Sequence, residues 1–224
     1  MDVPGRADKR TPVIIIPRRK FIFGFGFGME TWARKNLSPL LDPVVAVMAQ
    51  TGVSPNALTF LGFALNVVAG ALIAFGQPFW GGVVMTALAM PLDAVDGAVA
   101  RALGKQSPFG AFFDSTLDRL AEGALLGGLA YYFATRADTL SVVVTFAAMI
   151  GSFMVSYTRA RAEGLGLACK VGLFSRFGRF LLLALGLLLS ALTPLALVVM
   201  VWLMAVLTAY TAIERMVHVY RLTK

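Results

Sequence analysis

Six apolar stretches, at about 55–75, 79–102, 109–135, 139–162, 175–192 and 195–219, dominate the chain. A helix needs about 20 mostly apolar residues to cross the hydrocarbon core of a bilayer. The chain is therefore expected to be all-α: a polytopic membrane protein with six transmembrane helices. At 58% hydrophobic and 14% charged in 224 residues, little is left for a separate soluble domain. From residue 30 to about 49 apolar positions recur at helical spacing around Arg34 and Lys35, which predicts an N-terminal amphipathic helix lying along the surface. Residues 1–29 stand apart. There Phe21, Phe23, Phe25 and Phe27 alternate along the chain just after Arg18, Arg19 and Lys20, the pattern of an interfacial or cytoplasmic segment. Its order of charge and apolar residues is not that of a cleaved secretory signal. Residues 30–224 then form one membrane domain.

The net charge of +8 sits in short Lys and Arg clusters between apolar runs, which is the signature of membrane orientation and not of nucleic-acid binding. Turns at Gln77-Pro78 and Thr193-Pro194 join partners on one side, and of the twenty Lys and Arg residues only Arg136 falls there. The opposite side, which carries both termini, is expected to be cytoplasmic. Cys169 is the single cysteine, so no disulfide or thiolate metal site is available, and it reads as a packing residue.

Against this apolar background stand Asp93 and Asp96, late in the second stretch, and Asp114 and Asp118, early in the third. A carboxylate at the bilayer centre costs at least about 2.5 kcal/mol even on the gentlest scale. Residues three and four apart share a helical face, so Asp93 and Asp96 point together, and Gly110, Asp114 and Asp118 form a second row. The short connection between these stretches predicts antiparallel neighbours whose two rows converge on one cytoplasm-facing cavity. Arg101 and Arg119 neutralise part of that charge, and divalent cations would do more. Hard oxygen ligands without nearby His or Cys suit magnesium or manganese, and such ions commonly bridge phosphate oxygens. Buried Asp–Arg pairs and an ion or proton pathway are the alternatives that the residues alone leave open.

The complete pattern Asp93-x-x-Asp96-Gly97-x-x-Ala100-Arg101, eight further residues, then Gly110-x-x-x-Asp114-x-x-x-Asp118 resembles the signature of the CDP-alcohol phosphotransferases. The likeness extends over about 40–220, including the Pro-Asn-x-Leu-Thr element at Pro55 to Thr59. It implies a metal-dependent transferase of phospholipid biosynthesis that moves the phosphatidyl group of a CDP-linked lipid, diacyl or ether, to an alcohol and releases CMP. It further implies that Asp93, Asp96, Asp114 and Asp118 hold two divalent ions (Mg2+ or Mn2+) and that Asp118 is the catalytic base. Asn56, Gly97, Arg101 and Gly110 are implied as CDP-lipid contacts, with Ser107, Lys105 and Gln106 in the adjoining loop. Asn56 reads equally as a helix cap. Relatives form homodimers, which by analogy makes a second copy of the chain, besides the lipid bilayer, an expected partner.

The acceptor follows from a second cluster. Arg159 and Arg161 lie at the end of the fourth stretch, and Lys170, Arg176 and Arg179 come soon after. So basic a group suits an alcohol bearing its own phosphate, although membrane orientation accounts for each of these charges as well. The segment around Arg159 to Glu163 is similar to that of phosphatidylinositol phosphate and archaetidylinositol phosphate synthases. That likeness implies inositol 1-phosphate as acceptor, with Arg159, Arg161, Arg176 and Arg179 on its phosphate. Glycerol 3-phosphate is the alternative, disfavoured because relatives that use it carry an Arg soon after the Leu-Thr element, where this chain has Phe-Leu-Gly-Phe-Ala. A cation or proton transporter is the reading from another class, and an intramembrane prenyltransferase would need more spans. Glu122 reads either as an extension of the acidic site or as a buried hydrogen-bonded residue, and His218 as interfacial.

Overall fold

The computed structural model describes residues 45–48 and 52–224. The segment 1–29, and all of the expected surface helix apart from one helical turn at 45–48, lie outside the described residues. The rest is helical: α1 (Pro55–Ala74), α2 (Pro78–Ala102), α3 (Pro108–Ala134), α4 (Thr139–Gly164), α5 (Arg176–Leu189) and α6 (Leu195–Leu222). No strand occurs among the described residues.

Helix starts follow local chemistry. Ser54, Ser107 and Ser175 each accept a hydrogen bond from an early backbone amide of the helix that follows, and Pro55 and Pro108 occupy first-turn positions whose missing N–H costs nothing. At the end of α2 the chain closes in a Schellman turn: Gly104 takes φ +62°, the Lys105 amide reaches Ala100 O (3.0 Å) and the Gly104 amide Arg101 O (3.2 Å). Ser107 opens α3 three residues later, so the two acidic helices are joined by a very short link.

Four helices, α1, α2, α4 and α6, are long and apolar enough to cross a membrane. The six expected spans map onto six helices, but two of them differ from the expectation. In α3, 27 residues long, the first half carries Asp114, Asp118, Arg119 and Glu122, which lowers its hydropathy. The helix α5 has 14 residues, roughly 21 Å at 1.5 Å per residue, and so falls short of a bilayer core by itself.

Packing runs around the bundle in the order α1, α2, α5, α6, α4, α3 and back to α1. The second and third spans were expected to be packed neighbours. Instead the acidic half of α2 and the helix α3 make almost no backbone contact, because α1 lies against both. Small residues bring α1 and α3 together: a Cβ added at Gly70 would fall 2.5 Å from the Ala124 carbonyl oxygen, and one at Gly128 would collide with the Gly70 carbonyl. The main core, built around Ile73, Met85, Leu126, Leu129, Leu183, Leu197 and Met204, fills the half of the bundle remote from the aspartates. A smaller cluster of Val45, Leu58, Val95 and Val99 supports the acidic end.

The helix α2 is not regular. Residues Met85–Ala89 form a π turn in which the Met90 amide reaches back to Met85 O. Pro91 explains it, since proline has no N–H to give and its ring crowds the carbonyl one turn earlier. The wide turn lies just before Asp93.

Candidate active site

Three helices build the site. Asp93 of α2 and Asp114 and Asp118 of α3 each present a carboxylate oxygen, and these oxygens lie within 4.8 Å of one another. Asp96 is placed differently. It is 6% exposed, accepts a hydrogen bond from Thr59 Oγ1 of α1 (2.6 Å) and another from the Gly97 amide. The four aspartates thus form a triad with a fourth carboxylate tied back to α1.

A cavity of about 470 Å³ opens beside them. It is lined by Asp96 and Asp114, and by Asn56, Gly97, Arg101, Lys105, Gln106, Ser107 and Gly110. Every residue expected to touch the nucleotide lines this one space. It exists because α1 holds the acidic half of α2 away from α3. Gly110 faces Ser107 Oγ and Asn56 Oδ1, at 3.2 and 3.4 Å from a Cβ built there, so any side chain would narrow the cavity. Ser54 caps α1 through the Ala57 amide (3.2 Å), which leaves the Asn56 side chain to the cavity. The Ser107 hydroxyl accepts from the Gly110 amide (3.0 Å) and therefore caps α3 while lining the cavity.

The basic residues separate into three environments. Arg176, the first residue of α5, reaches the triad: its Nη2 donates to Asp93 Oδ1 (2.8 Å) and to Asp118 Oδ1 (2.5 Å), and its Nη1 to Asp93 Oδ2 (3.3 Å). Arg179, one turn on, is buried and forms a two-point ion pair with Glu122 of α3 (2.7 and 3.1 Å), with Ser156 Oγ 3.4 Å away. Glu122 is thus the buried, hydrogen-bonded residue that one of its two readings described. Arg159 is half exposed and paired with Glu163 at 2.9 Å, and Arg161 is exposed in the last turn of α4. Among the described residues neither pairs with a triad carboxylate. Arg119 turns back onto Ser115 O of its own helix and lies 3.4 Å from Asp118 Oδ2.

Sequence reasoning missed what holds Arg176 in place. The connection 165–175 has no helix of its own, and one face of α6 fixes it. The Phe174 amide donates to Thr211 Oγ1 (3.1 Å) and the Leu173 amide to Glu214 Oε2 (3.3 Å). Arg215, 6% exposed, donates through Nε to Val171 O (3.0 Å) and through Nη1 to Val155 O of α4. His218 Nε2 lies 3.3 Å from Ala168 O. Cys169 is fully buried in the same connection, in keeping with a packing role. The spacing of Thr211, Arg215 and His218 along one helical face was the available signal.

With this geometry in view, the similarities to known proteins are informative. The CDP-alcohol phosphatidyltransferase family model matches residues 52–212. The chain is 40% identical over 209 residues to a phosphatidylinositol phosphate synthase of Streptomyces avermitilis, covering 86% of this chain and 83% of that one. It is 36% identical over 183 residues to an archaetidylinositol phosphate synthase of Pyrococcus horikoshii, covering 81% and 92%. Crystal structures of the Mycobacterium tuberculosis phosphatidylinositol phosphate synthase superpose with a TM-score of 0.75 at 32% identity. The form with CDP-DAG bound covers 80% of this chain and 92% of that one, and the form with manganese and citrate 80% and 88%. These matches leave no place for the transporter or prenyltransferase readings: the chain is a transferase and belongs to the CDP-alcohol phosphatidyltransferase family.

Proposed function

We propose that this protein transfers the phosphatidyl group of a CDP-linked lipid to the hydroxyl of inositol 1-phosphate, releasing CMP, with magnesium or manganese as cofactor. One observation carries the reading. Within the carboxylate triad, Asp114 lines the cavity that Asn56, Gly97, Arg101 and Gly110 also line, while Asp93 and Asp118, which do not line it, hold the Arg176 guanidinium. Donor and phosphorylated acceptor can therefore engage different members of the acidic cluster, which leaves room for an attack on phosphorus opposite a departing CMP.

The donor set fits the cofactor. Three carboxylate oxygens within 4.8 Å, with Asp96 close in sequence and no imidazole or thiolate in the group, are what a hard divalent ion selects. Asp93, Asp96, Asp114 and Asp118 would hold the two ions, which supply charge neutralisation at the pyrophosphate and on the leaving CMP. The remaining work falls to the chain. Gly97 and Gly110 let the nucleotide approach the backbone, and Arg101 can fork onto a phosphate. Lys105, Gln106 and Ser107 line the cavity near the link between α2 and α3. Asp118 takes the proton from the acceptor hydroxyl. Arg176 meets the acceptor phosphate, with Arg159 and Arg161 at the cytoplasmic entrance. Arg179 serves it through its buried pairing with Glu122, which braces the start of α5 against α3.

Residues 30–224 act as one membrane domain. All six helices cross the bilayer, α5 with a short hydrophobic length, and the acidic end and both termini face the cytoplasm. The exposed apolar side chains around the bundle, among them Phe60, Val143, Ile150, Leu185 and Val206, meet lipid and a second protomer in a homodimer.

The test is an assay of purified protein with CDP-diacylglycerol, either metal, and a panel of inositol 1-phosphate, glycerol 3-phosphate, inositol and serine. Metal-dependent CMP release is expected with inositol 1-phosphate. Release with glycerol 3-phosphate alone would reassign the acceptor, and release with none of the four would overturn the reading.

A further inference from the structure

Arg176 has a conflict built into its position. Its guanidinium donates to two of the three carboxylates that form the cation site, and one nitrogen, Nη2, serves both Asp93 and Asp118. It arrives from a different helix and is held at the head of α5 by the 165–175 connection, which the Thr211 and Arg215 side chains anchor. Its Nε is buried without a hydrogen-bond partner among the described residues, so within them the side chain is not fully satisfied where it lies. Arg119, the other cation at the cluster, spends its Nη1 largely on its own helix backbone. A divalent ion and Arg176 therefore seek the same oxygens, and both cannot hold them with full strength.

We propose that Arg176 is a resident counter-cation of the acidic triad, exchanged for the divalent metal, and that its release turns the guanidinium toward a dianionic phosphate group on the acceptor side. The inference rests on the metal-site and acceptor readings above and adds a coupling between them. While Arg176 bridges Asp93 and Asp118, it offsets repulsion among the three carboxylates and also occupies Asp118, the oxygen that must accept a proton. Metal loading displaces the guanidinium from both carboxylates. A dianion that engages the freed guanidinium lowers the cost of keeping it off the carboxylates, so by linkage the dianion must strengthen metal binding, and the metal must strengthen dianion binding. Idle carboxylates are thereby kept paired until the metal arrives.

The experiment is a Mn2+ titration of the purified full-length chain in detergent, without nucleotide or lipid, reading free Mn2+ by electron paramagnetic resonance. Arg176→Gln is expected to bind Mn2+ about tenfold more tightly than the wild type, because two charge-assisted pairs no longer compete. Arg176→Lys keeps the charge but loses the fork, and falls between them at about threefold. It also serves if the glutamine variant fails to fold. Sodium sulfate, as a dianion probe, is expected to tighten Mn2+ binding by the wild type and not by Arg176→Gln. Unchanged or weaker Mn2+ binding in the position-176 variants overturns the competition, and a wild type indifferent to sulfate overturns the hand-over. Asp114→Asn separates the underlying reading: it should weaken Mn2+ binding in either background, and if it does not, the metal site itself is misplaced and the proposal falls with it.

Discussion

The two ends of the bundle solve opposite problems. At the end remote from the aspartates, helices touch through glycine and large apolar side chains interlock, with Ile73, Leu126, Leu129 and Met204 at most 1% exposed. At the acidic end the same helices diverge, a cavity of about 470 Å³ opens, and polar groups hold what contact there is. Close-packed interiors gain many small dispersion contacts that together are large, so the apolar end can carry an end that is charged and partly open. The helix α1 mediates the division: with Gly70 it closes onto α3, and with Thr59 it ties down Asp96.

Changes that strike the open end should remove chemistry without removing the fold. Asp93→Ala or Asp114→Ala is expected to reduce CMP release by about a thousandfold or more, the scale of losing a principal electrostatic stabiliser, with melting temperature in detergent little altered. Asp118→Asn should retain nucleotide binding and lose transfer. If all three variants turn over normally, the division of labour drawn here is wrong.

The next effect lies at the boundary between the ends. Glu122→Ala would leave Arg179, 2% exposed, with an unpaired buried charge, and removing one partner of such a pair costs about 3–5 kcal/mol. A fall in thermal stability is expected, and Glu122→Gln should recover part of it. At the packed end, Gly128→Val would drive a side chain into the Gly70 carbonyl. Overpacking of this kind costs about 1–3 kcal/mol. It should lower the melting temperature while leaving the acceptor KM of the surviving fraction unchanged. The smallest effect belongs to Arg159→Ala, at the exposed entrance, where a rise of a few-fold in acceptor KM is expected with the CDP-lipid KM unmoved.

The acidic end was the more legible in the sequence. The spacing of Asp93, Asp96, Asp114 and Asp118 is local information, and so is the spacing of Gly97 and Gly110, because a helix converts three- and four-residue intervals into a face. Their separation into a triad and a buried fourth member was not legible, since it depends on Thr59, 37 residues from Asp96. The pairs Arg179–Glu122 and Arg215–Val171 span 57 and 44 residues. Arg179 therefore read as an acceptor-phosphate contact and Arg215 as one more charge on the cytoplasmic side until the packing order of the helices was known. The splay of α2 from α3 was equally hidden: a short link promises adjacency at the turn and says nothing about where the helix bodies go. The 14-residue α5 read as a longer span because the apolar run continues into the turn at 190–193.

The wide turn at Met85–Ala89 has a consequence for how such a chain can change over time. It accommodates one residue more than a regular helical turn would, and one residue corresponds to about 100° of rotation in an α-helix. Deleting a residue there would let the turn close to a regular one and keep Asp93 facing Asp114, whereas the same deletion in a regular stretch of α2 ahead of Asp93 would swing everything downstream around the axis. The wide turn is thus a length buffer ahead of the aspartates, and the helix should tolerate the loss of one residue there better than elsewhere between Pro78 and Asp93.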